Sequence, residues 1–296
     1  MKNLELIKSL TLPDFPSGSS INFYDGKLYV IGDDAKSILI LDEHYSRHSV
    51  IPLFDDLHDR IPKALKPDFE TSAIINSEGE DCLLVLGSGS RPNRMRGLLI
   101  PLNRATAIEQ IKAFDYQEFI ERLIANDLGE INIEGSAVVA NHCILSNRAN
   151  GKNPDNKFVV AEIGFWNHPV TTLFSVAALK LPTKSDKTIG VSELCYDPLN
   201  DRLLMTLSTE GTDNAYEDGA IGDSYTGWID NISKKTNDTS IELSGIINLS
   251  EDHREFIGEK IEGICIESVT NSNYVLHLVS DDDKGHSKLF KIKLSI

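Results

Sequence analysis

Basic residues are scarce. Against 45 Asp and Glu stand only 29 Lys and Arg, a net charge of −16 at neutral pH. Nucleic acid and anionic membranes are bound through basic surface, so neither is an expected partner. An acidic surface keeps a chain soluble and permits cation binding. Cysteine is also sparse. Cys82, Cys143, Cys195 and Cys265 form no C-x-x-C pair, which argues against a zinc site. All four lie in apolar, strand-like runs, where a free thiol behaves as a small buried hydrophobe. Long apolar runs are missing. The opening MKNLELIKSLTLPDF alternates apolar residues with Lys, Glu and Ser and lacks the continuous apolar core of a signal peptide. No stretch reaches the length of a membrane-spanning helix, and the expected compartment is the cytoplasm. Catalytic signatures are missing too. There is no G-x-S-x-G elbow, and Gly87-Ser88-Gly89-Ser90 lacks the Lys-Ser/Thr of a phosphate-binding loop.

What the sequence does hold is a repeated strand grammar. From Ile261 to Leu294 three β-like runs follow one another: Gly263 to Glu267, Tyr274 to Ser280 and Lys288 to Leu294. In the last, Phe290, Ile292 and Leu294 alternate with Lys291 and Lys293, as a half-buried strand requires. Similar units start at Ser19, Phe69, Ile133 and Val191. In the first, the Asp25-Gly26 pair between strand-like runs signals a hairpin. The last unit has only three strands, and the spare run Leu4 to Leu12 can supply its fourth by pairing with Lys288 to Leu294. That arrangement closes a propeller ring and removes an open sheet edge. The expected fold is therefore an all-β propeller over residues 1–296, one domain of five blades. Six blades is the alternative, because the connections are long enough to hide another sheet: the repeat spacing of roughly 50 to 70 residues exceeds the common ~40–50. Part of the excess is Asp115 to Ala125, DYQEFIERLIA, whose Phe119, Ile120, Leu123 and Ile124 fall at helical spacing behind a capping-box-like start. Val170 to Val176 and Ile241 to Leu249 are read as the outer strands of the third and fourth units, and Ser250 to Phe256 as a helical turn.

Propeller topology brings the heads of the inner strands to one mouth. Glu70, Glu134, Glu193 and Glu262 stand at or beside one repeat column there. Three residues after Glu70, Glu134 and Glu262 come the small residues Ala73, Ala137 and Cys265, as an inner strand near the axis requires. Around the mouth lie Asp33, Asp34, Asn147, Asp213, Asp218, Asp223, Asp281, Asp282 and Asp283. Converging carboxylates repel unless a cation neutralises them or some hold protons. Oxygen ligands suit Ca²⁺ or Mg²⁺, and the candidate metal ligands are Glu70, Glu134, Glu193, Glu262, Asp281 and Asp282. The competing reading is structural: each Glu accepts hydrogen bonds from neighbouring backbone and pins its strand head. Arg91, Arg94 and Arg148 also fall in mouth loops. They are candidates for a small anionic ligand, or else they pair with the carboxylates. His286 is the one mouth histidine that could act as acid or base.

The last unit resembles the repeat of phytase-like and related bacterial calcium-binding β-propellers. The resemblance lies in Ile261-Glu262-Gly263-Ile264, Leu278-Val279-Ser280-Asp281-Asp282 and Ser287-Lys288-Leu289-Phe290, and Ile133-Glu134-Gly135-Ser136 repeats its first part. It implies a propeller with metal held by mouth carboxylates, here Glu134, Glu262, Asp281 and Asp282. Some members of such families cleave phosphoesters. The functions to be separated are thus a cation-binding propeller that holds a small anion, a metal-dependent phosphoester or ester hydrolase working through activated water, and a metal-free protein-interaction scaffold.

Overall fold

The computed structural model describes residues 4–54, 60–102, 110–182, 187–211, 221–282 and 285–296. It is a five-bladed β-propeller. Strand β1, Leu4–Leu12, precedes the first blade. Blade 1 is β2 Gly18–Tyr24, β3 Lys27–Gly32, β4 Ser37–Asp42 and β5 Arg47–Pro52. Blade 2 is β6 Phe69–Ser77, β7 Glu80–Gly87, β8 Arg96–Pro101 and β9 Lys112–Asp115. Blade 3 is β10 Ile133–Val139, β11 His142–Asn147, β12 Lys157–Glu162 and β13 Phe174–Lys180. Blade 4 holds β14 Ile189–Asp197, β15 Arg202–Glu210 and β16 Ile221–Asp230. Then come β17, Ser240–Glu242, and β18, Gly245–Asn248. Blade 5 is β19 Lys260–Thr270, β20 Asn273–Asp281 and β21 Ser287–Ser295. The inner strands β2, β6, β10, β14 and β19 each touch the next, and β19 touches β2, which closes the ring.

The expected closure is present. β1 pairs antiparallel with β21, from Leu4 opposite Leu294 to Leu12 opposite Ser287. Two outer strands differ from the sequence reading. The last strand of blade 3 is Phe174–Lys180, because residues 163–173 turn to place Phe165 and Trp166 against the helix α1, Gln117–Ala125. The segment Ile241 to Leu249 is two strands rather than one. β17 joins β13 of blade 3 in parallel, and β18 joins β16 of blade 4. The break falls at Leu243 and Ser244, and β18 begins at Gly245, where the Trp228 ring leaves no room for a β-carbon. The edge strand β9 was not legible in sequence at all. Helix α1 starts two residues later than expected, with Asp115 Oδ1 accepting from Gln117 N.

Each seam between blades is an apolar cluster. Leu84, Leu86, Ile133 and Leu145 fill the seam of blades 2 and 3 with α1. Ala137, Leu179, Val191 and Ile241 fill that of blades 3 and 4. Leu4, Phe256, Tyr274 and Phe290 fill that of blades 4 and 5. Ile21, Tyr45, Val279 and Leu289 join blades 5 and 1, and Ile38, Phe69, Leu83 and Ile100 join blades 1 and 2. Burying faces of this kind at ~25 cal/mol per Å² is the main favourable term in folding. The four cysteines are free; Cys82, Cys143 and Cys265 are buried and Cys195 half-buried. No helix among the described residues is long and apolar enough to cross a membrane.

Candidate functional site at the head of the inner strands

All five inner strands share one irregularity. The pairing skips a single residue near each strand head: Ser19, Glu70, Glu134, Ser192 and Glu262. A bulge re-aims the side chain it carries. The repeat column seen in sequence is this bulge position, and it turns Glu70, Glu134 and Glu262 toward the mouth. Gly135 and Gly263, which follow two of them, are needed for close approach. A β-carbon on either would lie about 3.0 Å from the backbone nitrogen of the adjacent inner strand, Leu194 N or Ile21 N.

Glu193 belongs to the next position along β14, and its side chain runs into the axis rather than to the mouth. It is 1% exposed. Ser20 Oγ donates to its Oε2, and Thr71 Oγ1, Leu194 N and Ser136 N donate to its Oε1 at 2.7, 3.0 and 3.2 Å. Four blades thus meet on one carboxyl group. Burial nonetheless pushes its pKa up to about 8, against the pull of those four donors.

At the mouth the carboxylates form two groups. In the first, Arg148 is the hub, 6% exposed and packed across Gly190. Its Nη1 lies 3.4 Å from both Glu134 Oε2 and Glu262 Oε2, and donates to Ser192 Oγ at 2.9 Å. Its Nη2 donates to Ser208 Oγ at 2.8 Å. Asn132 Nδ2 covers Glu134 Oε1 at 2.6 Å, and Lys260 Nζ covers Glu262 Oε1 at 2.9 Å. Arg148→Met should cost about 3 kcal/mol, the usual penalty for leaving buried charge without its partner. Adding Glu134→Gln should restore part of that loss, and urea melts of the single and double variants measure it. Equal stabilities of the wild type and Arg148→Met would show that the hub carries no weight.

The second group is Asp33, Asp68 and Glu70, whose ligating oxygens lie within 4.8 Å of one another. Asp68 is held firmly. Its Oδ2 accepts from Arg94 Nη1 at 2.5 Å and Ser88 Oγ at 2.6 Å, and its Oδ1 faces Lys66 Nζ at 2.8 Å. Lys66 Nζ also donates to Asp33 Oδ2. Burial works against the Lys66 charge, yet Asp33 and Asp68 hold its pKa above the ordinary value. Asp33 Oδ1 is buried with no hydrogen-bond partner. Among the described residues no donor is hydrogen-bonded to Glu70. Burial, then the charges of Asp68, Glu134 and Asp33, push the Glu70 pKa well above the carboxylate range. Burial likewise lifts Asp33 to about 6.

The remaining candidates lie apart. Asp282 and His286 pair with each other on the β20–β21 loop, Nδ1 to Oδ2 at 2.9 Å, and His286 stays about half exposed. Asp281 ends β20, and Arg91 is exposed on the β7–β8 loop. Asp213, Asp218 and Asp283 fall outside the described residues. Sequence reasoning missed Lys66 and Asp68, which sit in the Lys66-Pro67-Asp68 run just before β6. The available signal was a second acid only two residues ahead of Glu70 at the same strand head.

No curated protein matches the sequence. Solved structures match over nearly the whole chain. The glutaminyl cyclase of Myxococcus xanthus is 14% identical with a TM-score of 0.51, covering 99% of this chain and 97% of that one. A duf4221 family member from Bacteroides vulgatus is 13% identical with a TM-score of 0.42, covering 100% of both chains. Virginiamycin B lyase from Staphylococcus aureus is 13% identical with a TM-score of 0.41, covering 98% of this chain and 99% of that one. At such identities the glutaminyl cyclase likeness speaks to fold alone. One sequence family spans residues 14–294, and the chain belongs to it: the family of unknown function DUF6929.

Proposed function

We propose that this propeller binds a divalent cation, Ca²⁺ or Mg²⁺, through Asp33, Asp68 and Glu70, and that the cation holds a small anionic ligand at the mouth. The observation that carries this reading is the unfinished charge balance of the triad. Asp33 Oδ1 is buried without a partner, and no described donor serves Glu70. An all-oxygen donor set suits a hard cation, and three carboxylates leave coordination positions open on an ion that takes six to eight ligands. Lys66 supplies part of the missing positive charge and would have to give way. The resemblance to phytase-like calcium-binding propellers supports the same reading at the neighbouring Glu134 and Glu262, although Arg148 already serves those two. The free cysteines suit a cytoplasmic setting.

Thermal melts in chelator, Ca²⁺ and Mg²⁺ test the proposal. Binding to the folded state alone stabilises it by about 2.7 kcal/mol at a hundredfold excess over Kd. The melting temperature should therefore rise with Ca²⁺ or Mg²⁺, and Glu70→Gln and Asp33→Asn should blunt the rise. Lys66→Met should lower the melting temperature in chelator and enlarge the response to cation. If neither the wild type nor Lys66→Met responds to either ion, the mouth is a charge network of its own and the scaffold reading stands. A phosphoesterase and esterase panel with and without Ca²⁺ separates ligand holding from hydrolysis.

A further inference from the structure

The axis has a second opening. Beyond Glu193, at the end of the inner strands away from the carboxylate mouth, lies a cavity of about 450 Å³ lined by residues of all five blades. That volume falls within the range of small-molecule sites. Its wall is mostly apolar, with Ile74, Val138, Leu194 and Ile266 among the lining residues, and no charged side chain lines it among the described residues. Cys195 and Cys265 are also among the lining residues, and burial raises both thiol pKa values, so neither adds charge.

The polar groups of this wall are set by Glu193. A hydroxyl has one proton to donate. Thr71 gives its proton to Glu193, so in the Thr71–Ser136 bond of 2.8 Å Ser136 is the donor. Ser20 also donates to Glu193, so in the Ser20–Ser72 bond of 2.6 Å Ser72 is the donor. Asn22 Nδ2 is committed to the Ser72 carbonyl at 3.0 Å and to Ser72 Oγ at 2.6 Å, which fixes the orientation of the amide. Its Oδ1 accepts from no described residue. Ser136 and Asn22 therefore commit their protons within the wall, to Thr71 and to Ser72, and the Ser136 oxygen and Asn22 Oδ1 remain as acceptors, whereas Ser72 is held as a donor to Ser20 only when Glu193 is ionised. A proton on Glu193 Oε2 would reverse only the Ser20–Ser72 arm; Ser136 and Asn22 keep their orientation. An apolar cavity with converging acceptors and no cationic group disfavours anions and suits a ligand that brings N–H donors.

We propose that this cavity binds a compact amine: an apolar body seated against the inner strands, with its N–H groups donated to Asn22 Oδ1 and the Ser136 hydroxyl oxygen. The site is independent of the cation proposed at the other end of the axis, so its test is run in excess chelator.

The test is a matched panel. Benzylamine and cyclohexylmethylamine are titrated into the full chain by calorimetry and NMR, beside benzoate and cyclohexanecarboxylate. The amines should bind at least tenfold more tightly than their carboxylate counterparts and should shift the resonances of Asn22 and Ala137. Ala73→Leu, which narrows the cavity from blade 2, should weaken the amines at least tenfold. Asn22→Asp, which keeps the acceptor and adds charge, should tighten them about tenfold. If Ala73→Leu does not fold, the Asn22→Asp result decides. Amines that leave Asn22 and Ala137 unshifted, carboxylates that bind equally well, or an unchanged affinity in Asn22→Asp would each overturn the proposal.

Discussion

A chain starting at Pro13 should lose most of its stability. β1 is the outermost strand of blade 5 and lies along the full length of β21. Leu4 is buried in the seam of blades 4 and 5, where Leu6 packs beside it; Leu10 and Leu12 pack into the seam of blades 5 and 1. Each fully buried Leu contributes about 1.5–3 kcal/mol. Because three of the four are only partly buried, about 5 kcal/mol is the reasonable total. That is comparable to the whole stability of many domains, ~5–15 kcal/mol. The truncation also exposes the edge of β21, an invitation to aggregate. The melting temperature should fall by about 10–20 °C, or the cooperative transition should vanish, and a peptide of residues 4–12 added in trans should recover part of the loss. An unchanged melting temperature would mean that the ring does not depend on this closure.

Glu193→Gln should change how stability depends on pH. Burial holds the Glu193 pKa at about 8, against an ordinary 4.5. The folded chain then keeps a proton that the unfolded chain releases. The resulting stability is fully present below pH 4.5 and drains away as pH rises through 8. Each pH unit in that window is worth about 1.4 kcal/mol, so the total is on the order of 5 kcal/mol. A glutamine side chain mimics the protonated acid well. Its carbonyl can take the Oε1 place and keep the donors Thr71, Ser136 N and Leu194 N. Its amide then donates to Ser20, whose hydroxyl turns toward Ser72. Urea melts of both proteins from pH 5 to 8 isolate the effect, because other titrating groups cancel in the difference. The Glu193→Gln variant should match the wild type near pH 5 and exceed it increasingly toward pH 8. Parallel profiles would show that the four donors outweigh burial and that Glu193 is ionised throughout.

The fold was largely legible because hairpins write period-two alternation into the chain. Lys27 to Gly32 and Lys288 to Leu294 state their faces residue by residue, and three strands followed by an ending announce a missing fourth. The bulge column was visible as Glu-Gly twice. What it does to direction was not. Glu193 stands one position past the bulge at Ser192, and that single step sends its side chain to the axis, whereas Glu134 sits on the bulge itself and turns to the mouth. Asp68 was hidden because it lies outside the alternating run, in a left-handed conformation with φ of 56°, and sequence gives no measure of its distance to Asp33 in another blade. The Arg148 hub was named as a mouth arginine, but its choice of Glu134 and Glu262 depends on two bulges and on the room left at Gly190.

β17 changes what counts as a removable part of this molecule. It leaves blade 4, lies in parallel against β13 of blade 3, and returns to blade 4 as β18. Ala178 N donates to Thr239 O and Leu243 N to Lys180 O across that junction, and Ile241 is buried there among residues of both blades. Blades 3 and 4 are therefore laced together by strand pairing, whereas among the described residues the neighbouring seam of blades 2 and 3 has the backbone bond from Ile133 N to Ser88 O and no shared strand. A blade is the unit of repetition along the chain, but here it is not the unit of disassembly. The smallest piece that can lift from the ring on this side with its sheets intact is the pair.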